Sequence, residues 1–517
     1  MSRISKEATR LVRSPLLSIA RHGAYSVAMA VLLLAVGVGP VWGQGPVATH
    51  PVTKAAARKG ARQATAHLWT QADEATEIPP SSKSVVRSRW IRPDPAVLAG
   101  LRQGHRVAFD LFDDLSMTGV VTRRRERSSD QFALSGVIDA RANCTFSLAF
   151  NRDALAGVIL MGDAGVYRIR YKPGGLHVLE QVEQSQHFVC ETGDVRLRSL
   201  PDEPAGRGAR DGDCDDGSVI DVLVVYTEAA RIAAGGVSAV EAEIDLMVEY
   251  NDVSYTNSLI APQWNLVFVW QLPPGVEPTL GELTDPDDGV ADGVHNLRDA
   301  YGADQVALVN GVGGGVANGL WALEPQFEAT AFCIAGMSTV PLVLSHEIGH
   351  NMGCCHAPGD GGGCDSTGAG GGLLFPYSNG HRFIGDSSAE WITVMAYPPG
   401  WALQHFSNPN VQYDGQPTGV SGDGPLSADN ARTINLSAYT VSNWRCNDGI
   451  CESLDLPSDG PDHNANGVPD DCDIALFINQ LLGDDPNPAY VAMYDYHEDG
   501  VLNGLDIQPF VDGLVGP

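Results

Sequence analysis

Three histidines and one glutamate stand close together in the chain, at His346, Glu347, His350 and His356. In a helix, side chains four residues apart share a face, so His346 and His350 can direct ring nitrogens at one metal ion. Glu347 is rotated by about 100° from His346, which places it beside that ion without making it a ligand. Gly353 allows the chain to leave the helix in a left-handed conformation and to return His356 as third ligand. Three protein ligands leave one position open, which is typical of a catalytic rather than a structural zinc.

The segment from His346 to His356 has the pattern His-Glu-x-x-His-x-x-Gly-x-x-His. It resembles the signature of the metzincin zinc peptidases, which implies Glu347 as the general base of peptide hydrolysis. A metzincin also has a methionine turn beneath the metal, and Met395 in Thr-Val-Met-Ala-Tyr matches it. The resemblance implies that Met395 forms a hydrophobic floor under the imidazoles and that Tyr397 contacts zinc or stabilises the oxyanion. The alternative for Tyr397 is a packed tyrosine with a satisfied hydroxyl.

Five further segments around these residues carry a narrower resemblance, to the reprolysin-like bacterial peptidases and especially to the peptidyl-Asp metalloendopeptidases. This family implies cleavage on the N-terminal side of Asp or Glu, which needs a cation in the pocket that receives the residue after the cut. Arg382 is the candidate, and the alternative is a surface arginine stacked on a strand. The similar segments are residues 220–227, 377–383, 406–411, 428–432 and 443–445, within a region of resemblance over residues 218–446.

Two features beside the histidines depart from this family. The residue after the third histidine is often Asp in the family, where it ties the zinc helix to the methionine turn, and here it is Ala357. Because outer partners orient metal ligands, the support of the third ligand does not follow from the resemblance. Cys354 and Cys355 are also adjacent to the third ligand. We expect them to form disulfides with partners such as Cys333 and Cys364 rather than a thiolate ligand of zinc.

The C-terminal tail contains an acidic loop that occurs twice. Each copy places oxygen ligands at the spacing of calcium loops, has a glycine at the sharp turn and runs into an amphipathic helix. The pair resembles dockerin type I repeats, which implies calcium and a cohesin-like or cell-surface partner. The alternative is two solvated acidic turns. The predicted calcium ligands are Asp462, Asn464, Asn466, Asp470 and Asp473 in the first loop, and Asp495, Asp499, Asn503 and Asp506 in the second.

The N-terminus has the composition of an export signal. A basic region precedes an apolar run from Ala24 to Val38, and small residues follow around Gly43. The alternative is an uncleaved membrane anchor. We therefore expect a secreted protein that leaves the membrane after signal cleavage and in which most of the 10 cysteines form disulfides. The net charge of −30 argues against nucleic-acid partners, which need a basic face.

The rest of the sequence predicts a multidomain protein. Short alternating segments separated by turns favour an all-β module, such as a small sandwich. Strands and helices then alternate, as in an α/β (α+β) metzincin catalytic domain, and a small α-helical calcium-loop module follows. We predict a signal peptide over 1–43, a loosely ordered leader over 44–100, a β-rich propeptide-like domain over 101–200, a linker over 201–217, the peptidase domain over 218–446 and the dockerin-like tail over 447–517.

The β-rich domain has the position of a propeptide, because it precedes the predicted peptidase domain and is followed by a polar linker. We expect its removal on maturation, with a new N-terminus near residues 210–220. The thiol of Cys214 in this linker could occupy the open zinc position and keep the protease inactive. A disulfide with Cys190 or Cys144 is the preferred alternative for it.

These features together predict a secreted zinc metalloendopeptidase that acts on protein or peptide substrates. Hydrolysis would use a metal-activated water with Glu347 as its base. The competing hypothesis is a non-catalytic extracellular adhesion or scaffold protein that displays a zincin fold, with the tail as its anchor. The intact Glu347 favours the enzyme.

Overall fold

The computed structural model describes most of the chain between residues 65 and 445 and a few positions near the C-terminus. The predicted signal peptide, most of the linker, and Cys190 and Cys214 lie outside the described residues. The described ranges are 65–72, 84–139, 144–162, 165–183 and 216–445, with gaps in the last at 312, 324, 338–339, 362–363 and 365–372, and positions 497, 501, 506, 507 and 509.

Nearly all of the predicted tail is outside the described residues as well. Asp506 is the exception among the proposed calcium ligands. Its buried carboxylate accepts a hydrogen bond from the backbone N–H of His497 at 2.8 Å. The proposed ligands that lie outside are Asp462, Asn464, Asn466, Asp470, Asp473, Asp495, Asp499 and Asn503.

The N-terminal part of the described chain forms one sheet of ten strands. Strands β4 to β10 follow one another as antiparallel neighbours, and β3 then pairs with β10. Strand β1 pairs with β4 and strand β2 with β3, and only Leu68 separates β1 from β2. Both edges of the sheet therefore end at one stretch of chain, and the sheet closes around an apolar core. The strands are β1 Ala66–His67, β2 Trp69–Gln71, β3 Val85–Pro93, β4 Arg106–Phe112, β5 Leu115–Ser128, β6 Gln131–Ile138, β7 Thr145–Asn151, β8 Ala154–Leu160, β9 Val166–Lys172 and β10 Leu176–Val182.

Two predictions for this region are wrong. The module is a single closed sheet and not a sandwich. The leader predicted over residues 44–100 is also not loosely ordered at its end, because β3 is followed by helix α1, Pro95–Gly100. Asp94 caps this helix by accepting bonds from the N–H groups of Ala96 and Val97 at 3.0 Å. Strand β3 was not predicted from the sequence. Its pairing partners are β10, which is distant in the sequence, and β2, which is very short.

The C-terminal part is built on a five-stranded sheet in the order β12-β11-β13-β15-β14. Strands β12, β11, β13 and β15 are parallel, and the short edge strand β14 runs antiparallel to β15. Strand β11 is buried along almost its whole length, as expected for a parallel strand covered on both faces. The strands are β11 Val219–Tyr226, β12 Gln263–Gln271, β13 Gln305–Asn310, β14 Gly315–Ala317 and β15 Phe332–Gly336.

Helices and small sheets surround this core. None of the helices in the described part of the chain is long and apolar enough to cross a membrane. The helices are α2 Glu228–Ala234, α3 Val237–Asn257, α4 Leu280–Thr284, α5 Gly293–Ala300, α6 Val343–Asn351 and α7 Asn430–Ser442. The short strands are β16 Arg382–Ile384, β17 Glu390–Ile392, β18 Trp401–Ala402, β19 Gln412–Tyr413 and β20 Gln416–Pro417.

Helix α3 lies between the two large sheets. It packs against β6, β7 and β8 on one side and against β12 and α6 on the other. One continuous apolar cluster therefore contains residues of both sheets, such as Val158 of β8 and Val222 of β11. The same cluster includes Ile348 of α6 and Met395, so the core that supports the candidate site is shared by both parts.

Candidate active site

Helix α6 positions the first part of the site. It carries His346, Glu347 and His350, and all three are buried. The helix ends at Asn351, and Gly353 follows with a left-handed φ of 89°, as predicted. The N–H of the following Cys354 donates to the carbonyl of Gly349 at 2.9 Å, which closes the helix end.

The three histidines meet at their Nε2 atoms. The Nε2 of His356 lies 3.2 Å from that of His346 and 3.0 Å from that of His350. Each Nδ1 instead donates to a backbone carbonyl: His346 to Val394 at 2.8 Å, His350 to Cys354 at 2.9 Å and His356 to Gly361 at 2.9 Å. These bonds leave a lone pair on every Nε2, so all three nitrogens can bind one cation.

The spacing of these nitrogens agrees with a zinc site. Ligand nitrogens around a tetrahedral zinc with bonds of about 2.05 Å lie about 3.3 Å apart, close to what is seen here. Burial, and then the neighbouring histidines, hold the pKa of His346 well below 6.5. Burial and His356 lower the pKa of His350 in the same way. These two rings are therefore held in the neutral form, in which imidazole binds a metal.

Met395 lies against the helix that carries the ligands. A Cβ on Gly349 would come within 2.6 Å of its Sδ, so the methionine occupies the space that this glycine leaves. Met395 is fully buried, and its neighbour Val394 supplies the carbonyl that orients His346. The structure thus packs Met395 against the helix that carries His346 and His350.

Tyr397 lies beside the three histidine nitrogens. Its hydroxyl is 3.0 Å from the Nε2 of His356, the same nitrogen that faces the other two histidines. Its backbone N–H donates to Oδ2 of Asp360 at 2.7 Å. The hydroxyl could therefore reach a cation held by these nitrogens.

Asp360 is a residue of this site that the sequence reasoning missed. Its nearly buried carboxylate accepts from the N–H of Tyr397 through one oxygen and from Arg382 through the other, at 2.7 Å in both cases. It therefore ties the loop after His356 to the chain beyond Met395.

Arg382 is held by several partners. Besides the Asp360 carboxylate, its guanidinium donates to the carbonyls of Tyr397 at 2.6 Å and Pro399 at 3.2 Å. These bonds use Nε and Nη2 and brace the segment that follows the methionine turn. The residue lies beside the site, and its charge is partly balanced by Asp360.

A disulfide closes the loop that carries the third histidine. Cys355 is bonded to Cys364, as the sequence suggested. Cys354 and Cys333 are instead free buried thiols, so the prediction of disulfides for them is wrong. Burial raises the pKa of both thiols well above 9.0, which makes a thiolate ligand of zinc unfavourable.

Opening this disulfide should weaken metal binding. The bridge from Cys355 to Cys364 encloses His356 and the Gly361 carbonyl that orients its ring. The double variant Cys355→Ser/Cys364→Ser should bind zinc about 10- to 100-fold more weakly, because outer contacts that orient a ligand have effects of this size. Competition with a coloured zinc chelator measures it. Cys333→Ala, which removes a buried thiol without opening the loop, should bind as the wild type does, and equal affinity in the double variant would contradict the expectation.

Glu347 lies on the side of helix α6 that faces the edge strand β14. Its carboxylate lies against Gly315 of β14, where a Cβ would come within 2.4 Å of Oε1. Strand β14 can approach α6 so closely only because this residue has no side chain. The sequence reasoning did not single out Gly315, because its role depends on a contact between distant segments.

The chain is similar to several named metallopeptidases. It is 30% identical over 305 residues to the peptidyl-Asp metalloendopeptidase of Stenotrophomonas maltophilia (strain R551-3), a match that covers 55% of this chain and 66% of the relative. It is 29% identical over 293 residues to the peptidyl-Asp metalloendopeptidase of Xanthomonas campestris pv. campestris, covering 54% of this chain and 65% of the relative. The chain thus spans just under two thirds of the length of these two relatives. No protein-family model matches it.

Solved structures show weaker similarity. Metalloproteinase-II from Bacteroides fragilis aligns with a TM-score of 0.33 and 11% identity, over 51% of this chain and 85% of that one. A chain from a chaperone–substrate complex aligns with a TM-score of 0.33 and 17% identity, over 58% of this chain and 39% of that one. Scores this low carry no argument about fold. The named relatives support a metallopeptidase family for this chain.

Proposed function

We propose that this chain, whose relatives support a metallopeptidase family, is a secreted zinc endopeptidase of the metzincin type. The observation that best supports the proposal is the convergence of three buried histidine Nε2 atoms on the helix that also carries Glu347. An export-type N-terminus and the disulfide between Cys355 and Cys364 agree with an oxidising, extracellular location. A non-catalytic display protein would not need this arrangement, and relatives named as endopeptidases do not favour it.

The residues of the site divide the work of peptide hydrolysis. His346, His350 and His356 would hold the ion, which when bound polarises the scissile carbonyl and makes a water acidic enough to lose a proton near neutral pH. Glu347 takes that proton during attack and passes it to the leaving amine. The hydroxyl of Tyr397 donates a hydrogen bond to the carbonyl oxygen as negative charge develops on it.

Removal of the metal tests this proposal directly. The purified enzyme should cleave an unfolded protein substrate, lose this activity in a zinc chelator and regain it when stoichiometric zinc is added. The activity depends on the ion because Glu347 alone cannot make water a sufficient nucleophile. Full activity in protein shown to be metal-free by elemental analysis would contradict the proposal.

We also propose a preference for an acidic residue after the cut, with Arg382 as its source. The resemblance to peptidyl-Asp metalloendopeptidases motivates the preference, and Arg382 braces the segment beyond the methionine turn. Its guanidinium already pairs with Asp360, so a substrate carboxylate would share this charge. Arginine is suited to a planar, two-point contact with a carboxylate.

Paired peptides that differ only by Asp or Asn after the scissile bond measure this preference as a ratio of kcat/KM. We expect a wild-type ratio well above one, a ratio near one in Arg382→Ala and partial recovery in Arg382→Lys, which lacks the planar fork. Arg432→Ala, which removes a cation packed on Tyr377, serves as control. A wild-type ratio near one would remove the preference, and an unchanged ratio in Arg382→Ala would remove the role of this residue.

The calcium-binding tail stays a prediction, with a cohesin-like or cell-surface partner as its proposed target. It rests on the duplicated loop in the sequence. The bond between the N–H of His497 and the carboxylate of Asp506 brings the early and last positions of the second loop together. This closure agrees with a calcium loop, in which the last carboxylate folds back toward the first ligands.

A further inference from the structure

Helix α3 carries a row of carboxylates on the side that faces the closed N-terminal sheet. Glu241, Asp245, Glu249 and Asp252 follow one another at intervals of four, four and three residues, which places them on one face. Asp245, Glu249 and Asp252 are between 0% and 4% exposed. Such a row is unfavourable away from water unless cations or hydrogen-bond donors face it.

A row of arginines on strand β5 faces these carboxylates. Arg123, Arg125 and Arg127 alternate along the strand and so share one side of the sheet. Arg123 donates to Asp252 at 2.6 Å. Arg125 lies 3.6, 3.7 and 3.8 Å from the carboxylates of Asp245, Glu249 and Asp252, and it donates to the Asp245 carbonyl at 3.0 Å. Arg127 is 3.7 Å from Asp245.

A second buried ion pair joins the sheet to the same helix. Arg168 of β9 is 1% exposed and pairs with Glu243, and it also donates to the carbonyl of Gly157 at 2.7 Å. The amide of Asn151 donates to Glu241 at 2.7 Å. Side chains from β7 and β9 thus hold the helix together with the arginines of β5.

Small apolar side chains fill the space between these polar contacts. Ala133, Ala149 and Ala156 of the sheet lie in one buried cluster with Ala242 and Leu246 of α3. Alanines at these positions allow the helix to approach the strands closely. Separation would expose this apolar surface to water together with the carboxylate row.

The sheet also contacts the segment that supports the methionine turn. Thr145 of β7 donates to the side chain of Gln404 at 2.7 Å. The next residue, His405, accepts a bond from the N–H of Val394 at 2.9 Å through its carbonyl. The carbonyl of Val394 in turn orients His346, so three hydrogen bonds and the Gln404–His405 peptide connect the sheet to a proposed metal ligand.

From these contacts we infer that the closed sheet of residues 65–183 is a permanent part of the mature enzyme, which stays bound through the arginine and carboxylate rows even when the linker is cut. This differs from the sequence prediction that the β-rich domain is removed on maturation. A new N-terminus near residues 210–220 remains compatible with it, because cutting a linker does not by itself separate two parts that share a core. The inference does not depend on the proposed peptidase activity.

The test begins with the full secreted chain, carrying a recognition site for a specific protease within residues 201–215. After cutting, the enzyme is passed at micromolar concentration through a size-exclusion column, and fractions are separated on a denaturing gel. We expect both fragments in one peak at equal amounts, also in high salt, because buried pairs are weakly screened. Elution of the two fragments in separate peaks would overturn the inference, whether or not the catalytic fragment stays soluble.

Charge variants then test whether the arginine row holds the complex. In the cut protein, Arg125→Gln should increase the dissociation rate of the fragments by about a hundredfold or more, because it removes the cation that faces the buried carboxylate of Glu249. Arg87→Gln, which disrupts an exposed pair with Asp114 on the same sheet, should change it by less than about threefold. Equal dissociation rates for these two variants would show that the arginine and carboxylate rows do not hold the two fragments together. If Arg125→Gln does not fold, the elution of the cut protein without this substitution still decides the inference.

Discussion

Replacing Glu347 by glutamine should abolish most of the peptidase activity while leaving the metal in place. The amide has nearly the size of the carboxylate but cannot accept the proton of the attacking water. General base catalysis contributes about 10²–10⁴-fold to such reactions, and kcat should fall by that amount. Zinc content should not change, because the proposed ligands are His346, His350 and His356 and each keeps its bond to a backbone carbonyl.

The measurement combines kcat on a peptide substrate with elemental analysis of the same sample. Glu277→Gln, a surface substitution of the same chemical kind, should leave both values unchanged and controls for purification and folding. Near-wild-type turnover in zinc-loaded Glu347→Gln would remove this residue from the mechanism. Loss of zinc together with activity would instead show that Glu347 helps to hold the ion.

The chemistry of the site was readable from the sequence because it depends on short-range spacing. His346, Glu347 and His350 share one helix, and Gly353 just after the helix has the predicted left-handed backbone. Such features follow from helix geometry alone, since neighbouring residues fix them. The position of Met395 beneath the helix required the resemblance as well, because a lone methionine is usually only a filler of the core.

The contacts that hold the ligands could not be predicted in the same way. Asp360 joins Tyr397 to Arg382 across a loop, and no repeat or spacing in the sequence marks it. The four cysteines near the site allowed several pairings, and the structure selects Cys355 with Cys364. These contacts depend on where separate segments come together, which a pattern within one segment does not contain.

The packing of the two large sheets on helix α3 could not be predicted from the sequence either. Three alternating arginines on β5 and an acidic face on α3 are both visible in the sequence, yet nothing there indicates that they face each other. A β-rich region before a catalytic domain therefore suggested a separable propeptide. The shared core, with residues such as Val158 and Val222 in one cluster, is a property of the folded chain.

Substituting Gly315 by alanine should lower activity by about a hundredfold without removing the metal. A Cβ at this position would lie 2.4 Å from Oε1 of Glu347 and 2.7 Å from its Cδ, distances that no real structure tolerates. Either the carboxylate or strand β14 must move. Displacement of a catalytic group by about 1 Å can reduce the rate about 10²-fold, because the base then no longer lies in line with the proton that it takes. The histidines are not touched by this change, so zinc binding should persist.

Gly313→Ala is the matched control, since a Cβ there meets only the carbonyl of Met337 at 3.7 Å. The two variants differ by two positions in the chain and add the same methyl group, so a difference between them isolates the contact with Glu347. We expect wild-type kcat in Gly313→Ala, a hundredfold lower kcat in Gly315→Ala and equal zinc content in both. Combining Gly315→Ala with Glu347→Gln should add little to the loss caused by the second change alone, because both act on the same proton transfer. Fully multiplicative losses in the double variant would show that Gly315 acts elsewhere, for example on the binding of the substrate along β14.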